Sequence, residues 1–221
     1  MKNSKIKYVF FDFDNTLVDS LKFWNKLKYK TIPKMYGKKV DNLTRQKLDL
    51  LGNKDFINSL IEIYNIRDSY DNIKKNINDV ITKLYQTKIK LIKGTKNFLE
   101  YLYSRNYRIV LASATDIGVL KIALKHFEIE KYFSYIFTED NTGYQKPQPE
   151  FFEYCMKKLE TNSENIFFFE DSVSSIMSAR QNDIKVCGVI HEFNKKLMKK
   201  HINTCELIIK NYNDKRLKEI L

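Results

Sequence analysis

Residues 6–16 read IKYVFFDFDNT, and this stretch decides the class of fold. Residues 6–11 are almost all apolar, whereas a strand with one solvated face would alternate apolar and polar side chains. Such apolar strands are typical of a parallel sheet that helices cover on both faces. Asp12 and Asp14 come directly after the strand, and open α/β sheets bind their ligands at the carboxyl ends of strands. The stretch therefore predicts a central strand with a functional site at its end.

Five further runs share the apolar, β-branched and aromatic character of this strand. They are residues 108–112, 135–138, 166–169, 185–190 and 206–209. Helical periodicity lies between them, at residues 95–104, 117–126, 150–159 and 173–182. Strands that alternate with helices in this way predict an α/β fold with a doubly wound parallel sheet.

Residues 19–91 interrupt the alternation, because they contain no convincing strand. The apolar pattern predicts helices at residues 21–35, 42–51, 54–64 and 70–86. We therefore expect a core of residues 1–18 and 92–221, with residues 19–91 inserted as a helical cap domain. The insert holds 16 Lys and Arg against 8 Asp and Glu, so it carries +8 of the net charge of +12.

The chain of 221 residues is basic overall, with 39 Lys and Arg against 27 Asp and Glu. No dense basic stripe or nucleic-acid motif accompanies this charge, so we expect a solvated lysine-rich surface and no nucleic-acid partner. No apolar run approaches the ~20 residues of a membrane span. Cys155, Cys187 and Cys205 fit neither a disulfide framework nor a zinc site. These features predict a cytoplasmic protein, monomeric or weakly dimeric, with reduced core cysteines and no membrane partner.

Two pairs of acids follow predicted strands. Asp12 and Asp14 are one residue apart, so an extended chain would place both carboxylates on the same side. There they repel each other unless a cation or a proton lies between them. Glu170 and Asp171 follow the strand at residues 166–169. If the two strands are neighbours, four carboxylates converge, and clustered carboxylate oxygens are typical of a magnesium site.

Two further motifs carry less information on their own. Lys146 lies in the run KPQPE, where a proline-marked loop before a helix is the plain interpretation. Beside the acids, its ammonium becomes a countercharge for a transferring phosphoryl group. Ser113 lies in the run LASAT, where alone it is an ordinary helix cap. In context, its hydroxyl and the nearby backbone N–H groups suit a phosphate oxygen at a helix N-terminus.

In their order and in their positions after strands, these motifs resemble those of the haloacid dehalogenase superfamily of phosphohydrolases. The resemblance covers nearly the whole chain, because the helical insert lies where that family carries its first type of cap. Residues 111–115, 146–150 and 169–172 are most similar to the branch that contains beta-phosphoglucomutase and phosphoglycolate phosphatase. The resemblance implies a Rossmann-like core and magnesium-dependent hydrolysis of a small phosphate monoester, with a small phosphorylated metabolite as the substrate.

The resemblance also implies a role for each residue of the motifs. Asp12 would attack phosphorus and become an aspartyl phosphate. Asp14 would protonate the leaving oxygen and then activate water as a general base. Ser113 and Ala114 would hold a phosphoryl oxygen, and Lys146 would stabilise the nucleophile and the phosphoryl charge.

The implied cofactor is Mg²⁺. Asp171, with Glu170 beside it, would bind the ion together with Asp12 and the backbone carbonyl of Asp14, and the ion would offset charge in the transition state. The three histidines show no motif context, so we expect no role for His126, His191 or His201.

Three alternatives remain open. A dehalogenase would not need the second acid, so Asp14 argues against it. A phosphomutase of the beta-phosphoglucomutase type would share the core, but residues 52–55 read GNKD and contain no arginine, and Asp14 is followed by Asn and Thr rather than by that enzyme's Gly and Val. A non-catalytic basic binding protein on the same fold would keep clustered acids at a cost in stability. Within the insert, Lys54 is the candidate for direct substrate contact.

Overall fold

The computed structural model describes residues 6–48, 53–192 and 194–221. Its centre is a six-stranded sheet in the order β3-β2-β1-β4-β5-β6, and every neighbouring pair is parallel. The strands are β1 (Tyr8–Phe11), β2 (Arg108–Ser113), β3 (Phe133–Thr138), β4 (Ile166–Glu170), β5 (Lys185–Val189) and β6 (Leu207–Ile209). The order reverses between β1 and β4, which is the point where doubly wound sheets open a ligand crevice. The predicted fold class is confirmed.

Helices connect the strands and form the inserted segment. They are α1 (Leu21–Lys26), α2 (Ile32–Met35), α3 (Asn42–Leu48), α4 (Asn53–Tyr64), α5 (Tyr70–Thr87), α6 (Thr95–Ser104), α7 (Ile117–His126), α8 (Glu139–Thr142), α9 (Pro149–Lys158), α10 (Val173–Gln181), α11 (Lys195–Lys200) and α12 (Leu217–Ile220). None of the helices in these described ranges is long and apolar enough to span a membrane.

The two central strands are buried along their whole length, as their apolar sequences predict. β1 and β4 run in register, with Phe11 opposite Phe169. The rings of these two residues stack with their centroids 4.7 Å apart. Because both faces of β1 and β4 are covered, neither strand needs the alternation of a half-exposed strand. This packing fixes the level at which both strands end.

The start of α7 excludes the plain interpretation of Ser113 taken alone, which was a helix cap. Asp116 is the N-cap residue, and its side chain accepts hydrogen bonds from the N–H groups of Gly118 and Val119 at 2.9 and 3.4 Å. Ser113 is instead the last residue of β2. An aspartate caps a helix as well as a serine does, so sequence alone did not distinguish the two positions.

The chain divides into two compact units, Met1–Asp19 with Lys90–Leu221, and Ser20–Ile89. The second unit lies within the segment expected to be a cap, and its role as a cap stays a prediction. Its first predicted helix, residues 21–35, is interrupted by a π-helical turn over Leu27–Thr31. Pro33 has no N–H group, so one hydrogen bond of an unbroken α-helix cannot form there. The wider π-helical turn before Pro33 accommodates this missing hydrogen bond.

Some predicted features fall outside the described residues. They are the end of the predicted helix at residues 42–51, Gly52, and the side chain of Lys54, so the proposed contact of Lys54 with substrate stays a prediction. The cysteines are free, as expected, although Cys205 is only partly buried while Cys155 and Cys187 are fully buried.

Candidate active site

The acids after β1 and β4 lie at one edge of the sheet. Phe11 and Phe169 are register partners, so the residues that follow them leave the sheet at the same level. The N–H group of Asp12 donates to the carbonyl of Phe169 at 2.9 Å, which ties the end of β1 to β4. Glu170, the last residue of β4, is fully buried. It follows Phe169 as Asp12 follows Phe11, so the two acids stand at the same level on neighbouring strands. The structure therefore brings the two motifs together.

Lys146 lies between these two carboxylates. Its Nζ atom forms a short ion pair with Oδ1 of Asp12 and a second ion pair with Oε2 of Glu170 at 2.7 Å. It also donates to the carbonyl of Ala112, at the end of β2, at 3.4 Å. Only 6% of the Lys146 side chain is exposed. The lysine reaches the acids from the loop before α9, which Pro149 opens at the position where a missing N–H group has no cost.

Burial and mutual repulsion change the acidity of this cluster. Burial, together with the charge of Glu170, raises the pKa of Asp12 to about 8 even though Lys146 acts in the opposite direction. Burial also raises the pKa of Glu170 to about 7. For Lys146, burial alone would lower the pKa, but the charges of Asp12 and Glu170 outweigh it and the pKa is raised. One lysine thus does not neutralise the cluster, which favours a further cation.

The donor set fits Mg²⁺. Asp12, Glu170 and Asp171 each offer a carboxylate oxygen, and these three oxygens lie within 4.8 Å of one another. Mg²⁺ prefers hard oxygen ligands at about 2.0–2.1 Å, so oxygens grouped at this spacing could share one ion. Burial raises the pKa of Asp171 as well, so all three acids disfavour the bare ionised state. A divalent cation would remove that penalty.

Asp14 has a different partner from the cluster. Its Oδ2 atom accepts a hydrogen bond from Oγ1 of Thr115 at 2.7 Å, and Thr115 follows β2. Directly after Asp14 the backbone reverses, with Asn15 at a positive φ of 60°, a conformation that asparagine adopts more readily than most residues. The Asp14 carboxylate is thus held near, but apart from, the three acids that could share a metal.

Ser113, the last residue of β2, and Ala114, which follows it, lie at the same edge. Leu111 is the register partner of Phe11, so Ser113 stands two positions beyond the end of β1. Ser113 is almost fully buried, and its Oγ atom accepts a hydrogen bond from the N–H group of Thr115 at 3.1 Å. The position suits the predicted contact with a phosphoryl oxygen, which stays a prediction.

One histidine that the sequence analysis set aside belongs to this region. Nε2 of His191 lies 2.9 Å from Oδ2 of Asp171. Nδ2 of Asn194 donates to the backbone carbonyl of the same aspartate, also at 2.9 Å. His191 stands two residues after the end of β5. The rule that open α/β sheets bind ligands at the carboxyl ends of their strands could therefore have marked it as a candidate, as it marked Asp12. A lone histidine without a spacing pattern offered no other signal.

Comparisons with known proteins identify the family of the chain. A family model described as haloacid dehalogenase-like hydrolase matches residues 9–189. A phosphorylated carbohydrates phosphatase of Thermotoga maritima is 26% identical over 187 residues, which are 84% of this chain and 86% of the relative. A haloacid dehalogenase hydrolase of family IA, variant 3, from Entamoeba histolytica aligns with a TM-score of 0.79 at 24% identity over 97% of both chains. Beta-phosphoglucomutase from Clostridium difficile aligns with a TM-score of 0.76 at 19% identity, covering 97% of this chain and 95% of that one.

Proposed function

The chain belongs to the haloacid dehalogenase-like hydrolases and is a phosphatase of that family, and we propose that it hydrolyses small phosphate monoesters through an aspartyl phosphate on Asp12. The observation that carries the proposal is the buried cluster in which Lys146 pairs with both Asp12 and Glu170. A nucleophilic carboxylate needs a fixed position and a nearby positive charge to approach an anionic ester. Lys146 supplies both to Asp12.

The first half of the reaction transfers the phosphoryl group to the protein. A carboxylate oxygen of Asp12 attacks phosphorus, and the bond from phosphorus to the leaving alcohol oxygen breaks. Asp14 gives that oxygen a proton, so the product leaves as a neutral alcohol. The hydrogen bond from Thr115 to Oδ2 of Asp14 holds this carboxyl group at the edge of the sheet.

The second half regenerates the enzyme. Asp14, now a carboxylate, takes a proton from a water molecule whose oxygen attacks phosphorus. The bond between phosphorus and Asp12 breaks, inorganic phosphate is released, and the Asp12 carboxylate is restored. Ser113 and the backbone of Ala114 would hold a phosphoryl oxygen in both halves, because they stand at the end of β2, at the same edge of the sheet.

Mg²⁺ is the proposed cofactor, held by Asp12, Glu170 and Asp171 with the backbone carbonyl of Asp14. When bound, it would offset the negative charge of the phosphoryl group and of the carboxylates. The grouping of the three carboxylate oxygens within 4.8 Å supports this assignment.

We propose sugar phosphates as the substrate class, because the Thermotoga maritima relative is named for phosphorylated carbohydrates. We further propose that the unit Ser20–Ile89 acts as a cap that selects among esters. The acids of the cluster all belong to the other unit, and residues 19–91 carry +8 of the net +12 charge. Such a charge favours doubly charged phosphate esters over a range of about 8–10 Å near physiological ionic strength.

The test is a panel of phosphate esters assayed for phosphate release with Mg²⁺ and with a chelator. The panel should hold hexose and hexitol phosphates, phosphoglycolate, a nucleoside monophosphate and an aryl phosphate. We expect the sugar phosphates to give the highest kcat/KM, and the chelator to abolish turnover of every ester. Release of phosphate from none of them, or release that the chelator leaves unchanged, would contradict the proposed function. A preference for the nucleotide would overturn only the substrate class.

A further inference from the structure

We propose that His191 is a positioning residue, which holds the carboxylate of Asp171 in the orientation that a divalent cation requires. The inference rests on the metal site of the proposed function and adds a residue to it. It starts from the contact between Nε2 of His191 and Oδ2 of Asp171 at 2.9 Å. Both side chains are mostly shielded from water, with 23% of His191 and 13% of Asp171 exposed.

The hydrogen bonds of His191 decide where its proton lies. The N–H group of Asn194 donates to Nδ1 of His191 at 3.3 Å, so Nδ1 is an acceptor. A neutral imidazole carries its proton on the other nitrogen. Nε2 therefore carries the proton, and this N–H group donates a hydrogen bond to Oδ2 of Asp171. This bond uses one lone pair of Oδ2, and the carboxylate keeps further lone pairs for a cation.

Asn194 fixes the backbone beneath the same carboxylate. One side-chain amide group of Asn194 donates to the carbonyls of both Asp171 and Val189, each at 2.9 Å. Its Oδ1 atom accepts from the N–H group of His191 at 2.9 Å. The end of β4, the end of β5 and the loop that carries the histidine are thus tied together by one side chain. Asp171 is held through its backbone and through its carboxylate.

The position of Asn194 in the chain makes this use of its side chain informative. It is the N-cap residue of α11, where an asparagine ordinarily accepts a hydrogen bond from the second or third helical N–H group. Here no side-chain cap bond forms. The side chain is directed to the strand ends instead, which indicates that the loop is built around Asp171 rather than around the helix.

The chemical consequence concerns the affinity for the cation. A free aspartate side chain must give up rotational freedom when it binds an ion, and a carboxylate already held in place loses less. Hydrogen-bond partners of metal ligands typically change metal affinity by about 10- to 100-fold. We therefore expect His191 to act on the binding of the ion, and to act on catalysis only through it.

The experiment measures Mn²⁺ binding to the phosphate-free full chain by electron paramagnetic resonance, with Mg²⁺ as competitor. His191→Ala should weaken binding by about 10- to 100-fold. Two conservative variants separate the contact with Asp171 from the packing of the loop. In His191→Gln the side-chain amide reaches as far as Nε2 and can donate to Asp171. In His191→Asn it reaches only as far as Nδ1, so the contact with Asn194 is kept and that with Asp171 is lost.

We expect His191→Gln to recover most of the affinity, and His191→Asn to bind as weakly as His191→Ala. At saturating Mg²⁺, kcat should stay close to wild type in all three, while the Mg²⁺ concentration for half-maximal activity rises in the alanine and asparagine variants. His126→Ala, at an exposed histidine at the end of α7, is the matched control and should bind Mn²⁺ as the wild type does.

Wild-type affinity in His191→Asn, or alanine-like affinity in a folded His191→Gln, would show that the histidine only packs the loop, and would overturn the inference. Circular dichroism of each variant without metal verifies the fold. A wild-type chain that binds no Mn²⁺ would instead refute the metal site itself. The failure of this inference and the failure of the proposed function therefore give different results.

Discussion

The end of β1 and the end of β4 both present two acids, but they distribute them differently. After β1 the acids are separated by the buried Phe13, and the chain has already left the sheet when it reaches Asp14. Asp12 pairs with Lys146, whereas Asp14 accepts from a residue that follows β2.

After β4 the two acids are adjacent. Glu170 turns to Lys146 at 2.7 Å, and its other oxygen accepts from the N–H groups of Asp171 and Ser172 at 3.0 and 2.9 Å. Asp171 turns to His191, which follows β5. At each strand end, one acid thus pairs with Lys146. The other acid contacts a residue that follows the next strand outward, which is β2 for the β1 end and β5 for the β4 end.

The difference suggests a division of labour. Separation by one residue gives the β1 end two carboxylates in different surroundings, which suits a nucleophile and an acid–base group that must not exchange roles. Adjacency and dense hydrogen bonding give the β4 end two carboxylates in fixed positions, which suits a cation site. We propose that the acids of the β1 end react, with Asp12 also contacting the ion, whereas the acids of the β4 end do not react and would only hold the ion. The following substitutions test that comparison.

The largest effect is expected for Asp12→Asn. The amide is nearly the same size but is a far poorer nucleophile, so kcat should fall by about 10⁴-fold or more while the chain stays folded. Phosphate release from the best ester measures the loss, and circular dichroism verifies the fold. Asp183→Asn is the matched control, because Asp183 is exposed at a positive φ of 58° that asparagine tolerates. Substantial turnover by a pure Asp12→Asn protein would remove Asp12 from its role.

The next largest effects are expected for Asp14→Asn and Asp171→Asn, which should change different quantities. Asp14→Asn should lower kcat by about 10²–10⁴-fold, the usual contribution of general acid–base catalysis, and leave the affinity for Mg²⁺ unchanged. Asp171→Asn should instead weaken Mg²⁺ binding. Isothermal titration with the ion, beside steady-state kinetics, distinguishes the two. If Asp14→Asn lost the ion, its side chain would be a ligand and the division between the strand ends would be wrong.

Lys146 joins the two strand ends, so Lys146→Ala should affect both activity and stability. Loss of its positive charge should lower kcat by about 10²–10³-fold. It also removes the positive charge that two buried carboxylates share, and breaking a buried ion pair typically costs about 3–5 kcal/mol. Urea unfolding without metal measures that cost. Lys96→Ala is the control, because Lys96 forms an exposed pair with Glu128 and its loss should change stability little. Equal stability losses in the two variants would contradict the bridging role.

The smallest effect is expected for Thr115→Val, which removes the hydrogen bond to Asp14 and keeps the shape of the side chain. A hydrogen bond to a charged group contributes about 1.5–3 kcal/mol, so kcat should fall by about 10- to 100-fold. Thr87→Val is the control, because the hydroxyl of Thr87 donates to the carbonyl of Lys83 at the exposed end of α5, far in sequence from the motifs. An unchanged kcat with both leaving groups, alkyl and aryl, would mean that Asp14 keeps its position without Thr115.

Most of the sheet and the identity of the acids could be predicted from the sequence. Buried parallel strands leave a strong signal, and the helices α6 and α7 begin and end where their apolar faces predict. The short helices α8, α11 and α12 were not predicted, because four to six residues are too few for a helical period to show. The π-helical turn before Pro33 was also missed, since it depends on how the chain compensates for one absent N–H group.

The contacts between side chains within the site could not be predicted from the sequence to the same extent. That Lys146 stands between Asp12 and Glu170 follows from the neighbouring positions of β1 and β4, which the sequence analysis could only assume. The contact of His191 with Asp171 depends on the backbone path after β5. It also depends on Asn194, whose side chain makes no helix-cap hydrogen bond and donates to the carbonyls of Asp171 and Val189 instead. The position of His191 after a strand could have marked it as a candidate, but no spacing rule links residues 171, 191 and 194. Their mutual contacts can be assigned only when the backbone is known.

The central claim is that Asp12 becomes phosphorylated, and trapping the intermediate tests it most directly. Asp14→Asn protein with Mg²⁺ and an aryl phosphate should release a stoichiometric burst of phenol, since this leaving group needs no proton, and then stall because no base activates water. Borohydride added at that point reduces an aspartyl phosphate to homoserine, which peptide mass spectrometry locates. We expect homoserine at position 12, absent without Mg²⁺ and absent in the Asp12→Asn, Asp14→Asn double variant. Homoserine at any other acid, or a burst with an unmodified position 12, would contradict the account.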